Sequence, residues 1–384
     1  MITANDEHLR EWTEAVRLMN FEGPVFAIVD PVVEEQFGIT GALEAALDAC
    51  AVTTFCEFQP NPCWDSLSNA LGKARAAGAR SVIAIGGGTA IDLGKLTSVA
   101  LQEGCGLESI QQAMEAGQEL VCDRQGIRLM AIPTTPGTGA EATRFAVLYR
   151  DGIKYSITGT ALLPDGSVLD PSLLRSLPST VIADAGLDAA CQAMESLWSV
   201  RTTSESERFA WRALDLAVAH LESAVKLGDR DSLSGMLVAA HFAGKAINLT
   251  TTTAPHALSY GLTSLLGMPH GRAVAFLFGE IFKCTVELQP ADCSHPGGIP
   301  FVSHRLQEIA VKWGQTTASF PEWWSGFLRE SLAISEALPP ESPGLVDSLI
   351  ATVNVQRLSN HPCVLTPKAI AAVYHRLIPT HPAS

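Results

Sequence analysis

The stretch SVIAIGGGTAIDLGK, residues 81–95, decides the fold. Its first five residues form a continuous apolar run rich in β-branched side chains, the composition of a strand covered on both faces. Three glycines stop the run, and a segment with helical spacing of Ala, Ile and Leu follows. Glycines at a strand-to-helix turn let the backbone approach a pyrophosphate. The helix start adds unpaired N–H groups and the positive end of its dipole. The triplet is neither GxGxxG nor GxxxxGK[ST], so alone it reads equally well as a tight strand–helix turn.

Similar runs lie on either side. Residues 25–29 (VFAIV, followed by Asp30), 51–56 (AVTTFC) and 129–132 read as strands, with helical stretches at 41–48 and 64–77 between them. That alternation predicts βαβ units and a parallel sheet with helices on both faces. Residues 145–148, 154–157 and 167–169 read as further strands, an antiparallel addition. After Asp170-Pro171 the texture changes. Residues 181–200, 204–227, 232–248, 255–266, 272–282, 302–313 and 367–377 read as helices, and 288–300 and 338–343 as Pro/Gly/Ser-rich loops. The expected division is an α/β domain over residues 1–175 and an all-helical domain over 176–384.

The chain has 384 residues, long enough to bury a core without disulfide or metal staples. Its 40 acids against 26 Lys and Arg give a net charge of −14, which argues against nucleic-acid and anionic-membrane partners. An anionic substrate would need locally gathered cations. The nine cysteines show no CxxC spacing and read as reduced thiols of a cytoplasmic protein. The first residues carry no basic, then apolar, signal pattern. The longest clean apolar run, 273–278, is far short of the roughly 18 residues of a membrane span.

Three further segments carry chemistry. PTTPGTGAEAT, residues 133–143, follows a strand and is dense in hydroxyls and glycine, suited to ribose and phosphate or simply to a capped loop. Asp188 and Gln192 are four apart in a helical segment and share a face. His256 and His270 lie in a Gly- and Pro-rich stretch, and His270 sits between Pro269 and Gly271 at a helix entry. Two imidazoles and a carboxylate suit Fe(II) or Zn(II), although either histidine alone reads as an ordinary packing or solvent residue.

Taken in order, Pro60-Asn61-Pro62, GGGTAIDLGK, PTTPGTGAEAT, Lys154, the run from Leu163 to Pro171, GLDAACQAMES and PHALSY…PHG resemble the iron-containing (group III) alcohol dehydrogenase family over nearly the whole chain. The resemblance implies a Rossmann-like parallel-sheet domain that binds NAD(P), followed by a helical metal-binding domain, in a homodimer. It implies cofactor contacts at Asn61, Gly87, Gly88, Thr89, Asp92, Lys95, Thr134, Thr135, Thr138, Thr143 and Lys154. It also places an acidic residue, Asp30, beside the adenosine ribose. A carboxylate there accepts from a 2′-hydroxyl and repels a 2′-phosphate, which favours NAD over NADP. The implied metal ligands are Asp188, Gln192, His256 and His270, for Fe(II) or Zn(II). Gln192 stands where the family usually has histidine, and its neutral oxygen should bind more weakly. Tyr260 stands where many members carry a proton-relaying histidine, and could relay a proton or bind substrate.

AGKAIN (243–248), TTAPHALSY and the glutamine of DAACQAMES are similar to the phosphonoacetaldehyde reductase branch, which serves phosphonate biosynthesis. That branch reduces phosphonoacetaldehyde to 2-hydroxyethylphosphonate. A phosphonate dianion needs charge-assisted contacts, and Lys245, Arg272 and Arg144, in that order, are the cations expected to supply them. The rival readings are another small-alcohol or polyol dehydrogenase, and a nucleotide-binding protein without turnover.

Overall fold

The quoted run becomes β3 and the helix after it. The computed structural model describes residues 11–19, 21–122, 126–334, 338 and 342–378. The chain divides into two units, Met1–Leu177 and Pro178–Ser384. In the first, β1 (Val25–Val29), β2 (Val52–Phe55), β3 (Ser81–Gly86), β4 (Arg128–Pro133) and β7 (Gly166–Ser167) form a parallel sheet in the order β2-β1-β3-β4-β7. β5 (Phe145–Arg150) and β6 (Ile153–Thr158) pair antiparallel as a separate ribbon. The helices are α1 (Trp12–Leu18), α2 (Pro31–Phe37), α3 (Ile39–Ala46), α4 (Trp64–Ala76), α5 (Gly88–Ala100) and α6 (Leu107–Ala116).

Every residue of β1 and β3 is buried, as continuous apolar strands require. The order reverses at β1, with β2 on one side and β3 on the other. In open α/β sheets ligands bind outside the carboxyl ends of the strands at such a reversal. α5 is buried from Ala90 to Ala100, polar residues included.

The expected strand at 167–169 is shorter and lies parallel to β4 inside the main sheet, so only β5 and β6 are an antiparallel addition. A two-residue strand is too short for periodicity to reveal its partner. The thiols were expected to be free, yet Cys105 and Cys122 form a disulfide with Cα atoms 6.3 Å apart. They flank α6, so the fold and not a recognisable spacing brings them together.

The second unit is helical, with α7 (Ser179–Trp198), α8 (Ser204–Lys226), α9 (Arg230–Thr250), α10 (Ala254–Ser264), α11 (His270–Val286), α12 (Gly298–Lys312), α13 (Phe320–Gly326), α14 (Leu345–Ala351), α15 (Val355–Leu358) and α16 (Pro367–Leu377). α7, α8 and α9 pack on one another, and α10 packs on α11, α14 and α15. α12 starts inside the expected 288–300 loop, at Gly298, ahead of its first buried apolar position, Val302. Among the described residues, no helix is long and apolar enough to cross a membrane.

His361 shows how tightly this unit is packed. It is 1% exposed, its Nε2 lies 3.2 Å from Thr285 Oγ1, and its ring meets Trp198 edge-on at 5.6 Å. Burial pushes its pKa down to about 3. Below the unfolded value of about 6.5 the unfolded chain takes up a proton that the folded one refuses. Stability therefore falls as pH drops from about 6.5 toward 3, by up to about 1.4 kcal/mol per unit. Urea unfolding of the second unit should lose about 2 kcal/mol between pH 6.5 and 5 from this group. His361→Gln should flatten that limb, and parallel limbs in both proteins would refute the assignment.

Candidate active site

Two groups of side chains, one in each unit, have the geometry of binding sites. In the first unit, Gly87 is the N-cap of α5, and no side chain accepts from the helix's first N–H groups. Those donors suit an anion. Gly86 has φ +154°, and a Cβ there would lie 2.6 Å from Ala90 Cβ and 2.8 Å from Asp30 Cβ. Only glycine fits, and the carboxyl ends of β1 and β3 stay in close register. Asp30 follows β1 and accepts from Val32 N at 2.9 Å, capping α2. Thr135 and Thr138 pack over the turn, so a Cβ on Gly87 or Gly88 would meet them at 3.3 and 3.2 Å. Asn61, with φ +69°, donates its N–H to Thr89 Oγ1 at 3.2 Å. The fold thus gathers Asp30, Asn61, Gly87, Gly88, Thr89, Thr135 and Thr138 beside the strand-order reversal. Lys154 lies on β6, its charge close enough to Asp92 to favour that carboxylate.

Four other expected cofactor contacts, Asp92, Lys95, Thr134 and Thr143, are buried. Lys95 is fully buried, and its Nζ donates to Thr143 O at 2.8 Å, Thr143 Oγ1 at 3.0 Å and Phe145 O at 2.6 Å. Asp92 accepts from Val147 N at 3.0 Å. Thr134 and Thr143 are buried as well. α5 lies against β5, and Lys95 and Asp92 pair the backbone there. Burial raises Asp92 to about 6 and lowers Lys95 to about 8, with each charge opposing the other's shift.

In the second unit, α7 carries Asp188, Gln192 and Glu195, α10 carries His256 and Tyr260, and α11 begins at His270. Ligand atoms of Asp188, His256 and His270 lie within 4.8 Å of one another. His256 Nε2 is 3.0 Å from Asp188 Oδ1, and its Nδ1 is hydrogen-bonded to Glu195 Oε1. Glu195 is fully buried and accepts through Oε2 from Thr253 N at 2.6 Å and Thr253 Oγ1 at 2.8 Å. Burial alone would lower His256, but Glu195 and Asp188 raise it to about 9. Asp188 is held below its usual value, because His256 and His270 outweigh burial.

This donor set fits a divalent metal. Gln192 bonds to Asp188, while its buried Oε1 has no hydrogen-bond partner. A buried amide oxygen without a partner is costly, and a cation held by Asp188, His256 and His270 would satisfy it. Two imidazoles, a carboxylate and an amide oxygen match Fe(II) or Zn(II). Glu195 escaped the sequence reading. Its signal was the spacing 188, 192, 195, which puts three polar groups on one face of α7.

The expected substrate cations each have partners of their own. Arg272 Nε and Nη2 bond to Asp184 at 2.9 and 3.1 Å, tying α11 to α7. Lys245 sits over the rings of Phe209 and Phe242, 4.9 and 5.9 Å from their centroids, and points toward α8. Burial lowers its pKa. Arg144 lies in the first unit, 3.7 Å from Glu119. Tyr260 sits one turn beyond His256, and its hydroxyl accepts from Arg357 Nε at 3.2 Å.

A model of iron-containing alcohol dehydrogenases matches residues 2–171, and one for the C-terminal part of the Fe-containing family matches residues 182–322. The phosphonoacetaldehyde reductase of Streptomyces viridochromogenes is 37% identical over 66% of this chain and 65% of its own length. The sulfoacetaldehyde reductase of Bilophila wadsworthia is 30% identical over 68% and 67%. The first curated relatives are thus matched over slightly less than two thirds of their length. The sulfoacetaldehyde reductase of Bifidobacterium kashiwanohense, solved with NAD+, shares the fold with a TM-score of 0.82 at 24% identity, over 96% of this chain and 94% of that one. The iron-containing alcohol dehydrogenase of Thermococcus thioreducens does so with a TM-score of 0.84 at 22% identity, over 95% of each chain. This chain belongs to the iron-containing alcohol dehydrogenase family.

Proposed function

We propose that the protein reduces a small anionic aldehyde, phosphonoacetaldehyde, to 2-hydroxyethylphosphonate, with NADH as hydride donor and a divalent metal in the second unit. The cluster of buried Asp188 and His256 with half-buried His270, beside the partnerless Gln192 oxygen, carries this reading. The substrate class rests on the relatives. Phosphonoacetaldehyde and sulfoacetaldehyde are both two-carbon aldehydes with an anion on the second carbon.

The nicotinamide, when bound, would supply the hydride for the carbonyl carbon, and a proton would go to its oxygen. Asp188, Gln192, His256 and His270 would hold the metal, which would supply Lewis acidity for the carbonyl. Glu195 holds the His256 ring through Nδ1, as outer carboxylates orient ligating histidines. Tyr260 accepts from Arg357 and can turn its own O–H toward the alkoxide. The open N–H groups of α5 receive the pyrophosphate, with Thr135 and Thr138 beside it. Asp30 accepts from the ribose and disfavours a 2′-phosphate.

The test is NADH oxidation by metal-stripped protein with Fe(II) or Zn(II) added back. Phosphonoacetaldehyde should give the highest kcat/KM against sulfoacetaldehyde and propanal, NADH should exceed NADPH, and glycerol with NAD+ should be poor. A preference for propanal or glycerol would overturn the substrate assignment. Tight NADH binding without turnover of any aldehyde would overturn the activity.

A further inference from the structure

The three cations first expected to meet the substrate's anion are turned to Asp184, to two phenyl rings and, in the first unit, to Glu119. A fourth has a different setting. Arg357 is half-buried on α15, a short helix held against α10 by Asn354 N donating to Ala257 O at 3.1 Å. Asn354 also caps α15, its Oδ1 accepting from Arg357 N at 2.9 Å. The guanidinium donates through Nε to Tyr260 Oη at 3.2 Å and through Nη1 to Thr252 Oγ1 at 2.5 Å. These two partners stand four residues after and four residues before His256. Tyr260 shares a face of α10 with His256. Thr252 precedes Thr253, whose hydroxyl and N–H hold the carboxylate that orients His256. Arg357 is therefore fastened to two residues that lie four positions to either side of His256 in the sequence.

A two-carbon aldehyde with an anion on its second carbon keeps that anion immediately beside the carbonyl. Whatever recognises the anion must then flank the metal cluster. We infer that Arg357, seated between Thr252 and Tyr260, binds the phosphonate of the substrate and sets the preference for anionic over neutral aldehydes. The inference rests on the reduction of an anionic aldehyde proposed above. A guanidinium is a planar fork of five donors that suits paired oxyanion oxygens, which a lysine ammonium does not reproduce. Thr252 and Tyr260 fix the plane of that fork. Because Nε bonds to the tyrosine, the anion site and the proposed proton donor are placed together. A small-alcohol enzyme has no use for a charge at this position, whereas a chain at net −14 that takes an anion needs one.

The test measures kcat/KM for phosphonoacetaldehyde and for propanal with the metal-loaded wild-type protein, Arg357→Leu and Arg357→Lys. It also measures competitive inhibition of propanal reduction by methylphosphonate. In Arg357→Leu the ratio of the two kcat/KM values should fall about 100-fold, mostly through KM for phosphonoacetaldehyde, the effect of losing one charge-assisted pair. Arg357→Lys should lose about tenfold. Methylphosphonate should inhibit the wild type and lose at least tenfold in potency against both variants. An unchanged ratio in Arg357→Lys and Arg357→Leu overturns the inference, whether both activities hold or both fall together from misfolding. If the wild type itself shows no preference for phosphonoacetaldehyde and no inhibition by methylphosphonate, the proposed function has failed. A preference that survives removal of Arg357 leaves that function standing and removes this residue from it.

Discussion

His256→Ala should release the metal from the second unit and lower kcat/KM by about 1,000-fold or more. Losing the Lewis acid removes several kcal/mol of stabilisation from a developing alkoxide, and about 4 kcal/mol is a factor of roughly 1,000. The ring also links Asp188 on one side to Glu195 on the other, so its removal leaves two buried carboxylates without their shared partner. Two companion variants grade the effect. Glu195→Gln keeps the shape but removes the charge that holds Nδ1, and should weaken metal binding about 10- to 100-fold. Gln192→His replaces a neutral oxygen by an imidazole and should tighten it at least tenfold. Equilibrium competition with a coloured chelator reads affinity independently of turnover. One metal per chain in His256→Ala, with wild-type turnover, would refute the site.

The second large effect concerns folding. Lys95→Met should destabilise the first unit by about 3–5 kcal/mol, the usual consequence of removing one partner from a buried, hydrogen-bonded charge pair. Three acceptors at Thr143 and Phe145 lose their donor, and Asp92 loses the nearby charge that offsets its burial. If Lys95 bound the cofactor instead, the variant would keep its stability and raise KM for NADH. Urea unfolding and NADH titration separate the two outcomes. A double variant with Asp92→Leu should be less destabilised than the two single changes summed, since Asp92 then no longer stays buried without the Lys95 charge.

Much of the architecture was legible because it follows from local pattern. Apolar runs such as residues 25–29 and 81–85 can only be strands covered on both faces, and β1 and β3 are buried throughout. The helix at 367–377 has its expected bounds, with Thr366 as N-cap and Pro367 at the first position. The triplet at 86–88 forecast a tight strand–helix turn, and Gly86 shows why no side chain fits there. Asp188, His256 and His270 were expected as one set and lie within 4.8 Å.

Polar side chains were harder to place, for a physical reason. A strand or helix is specified by the spacing of apolar residues over a dozen positions. The partner of a buried charge comes from far along the chain. Lys95 meets Thr143 and Phe145, Arg272 meets Asp184 across 88 residues, and Arg357 meets Thr252 and Tyr260 about 100 residues away. The cation count indicated that an anion site would need a local charge but not which one, because Lys245, Arg272 and Arg357 are alike until their neighbours are known. Local periodicity was sufficient for the two-part fold, while the metal set came from the motifs shared with the family. Long-range packing alone determined that Lys95 braces the scaffold, that Glu195 orients His256, and that Arg357 bonds to Thr252 and Tyr260.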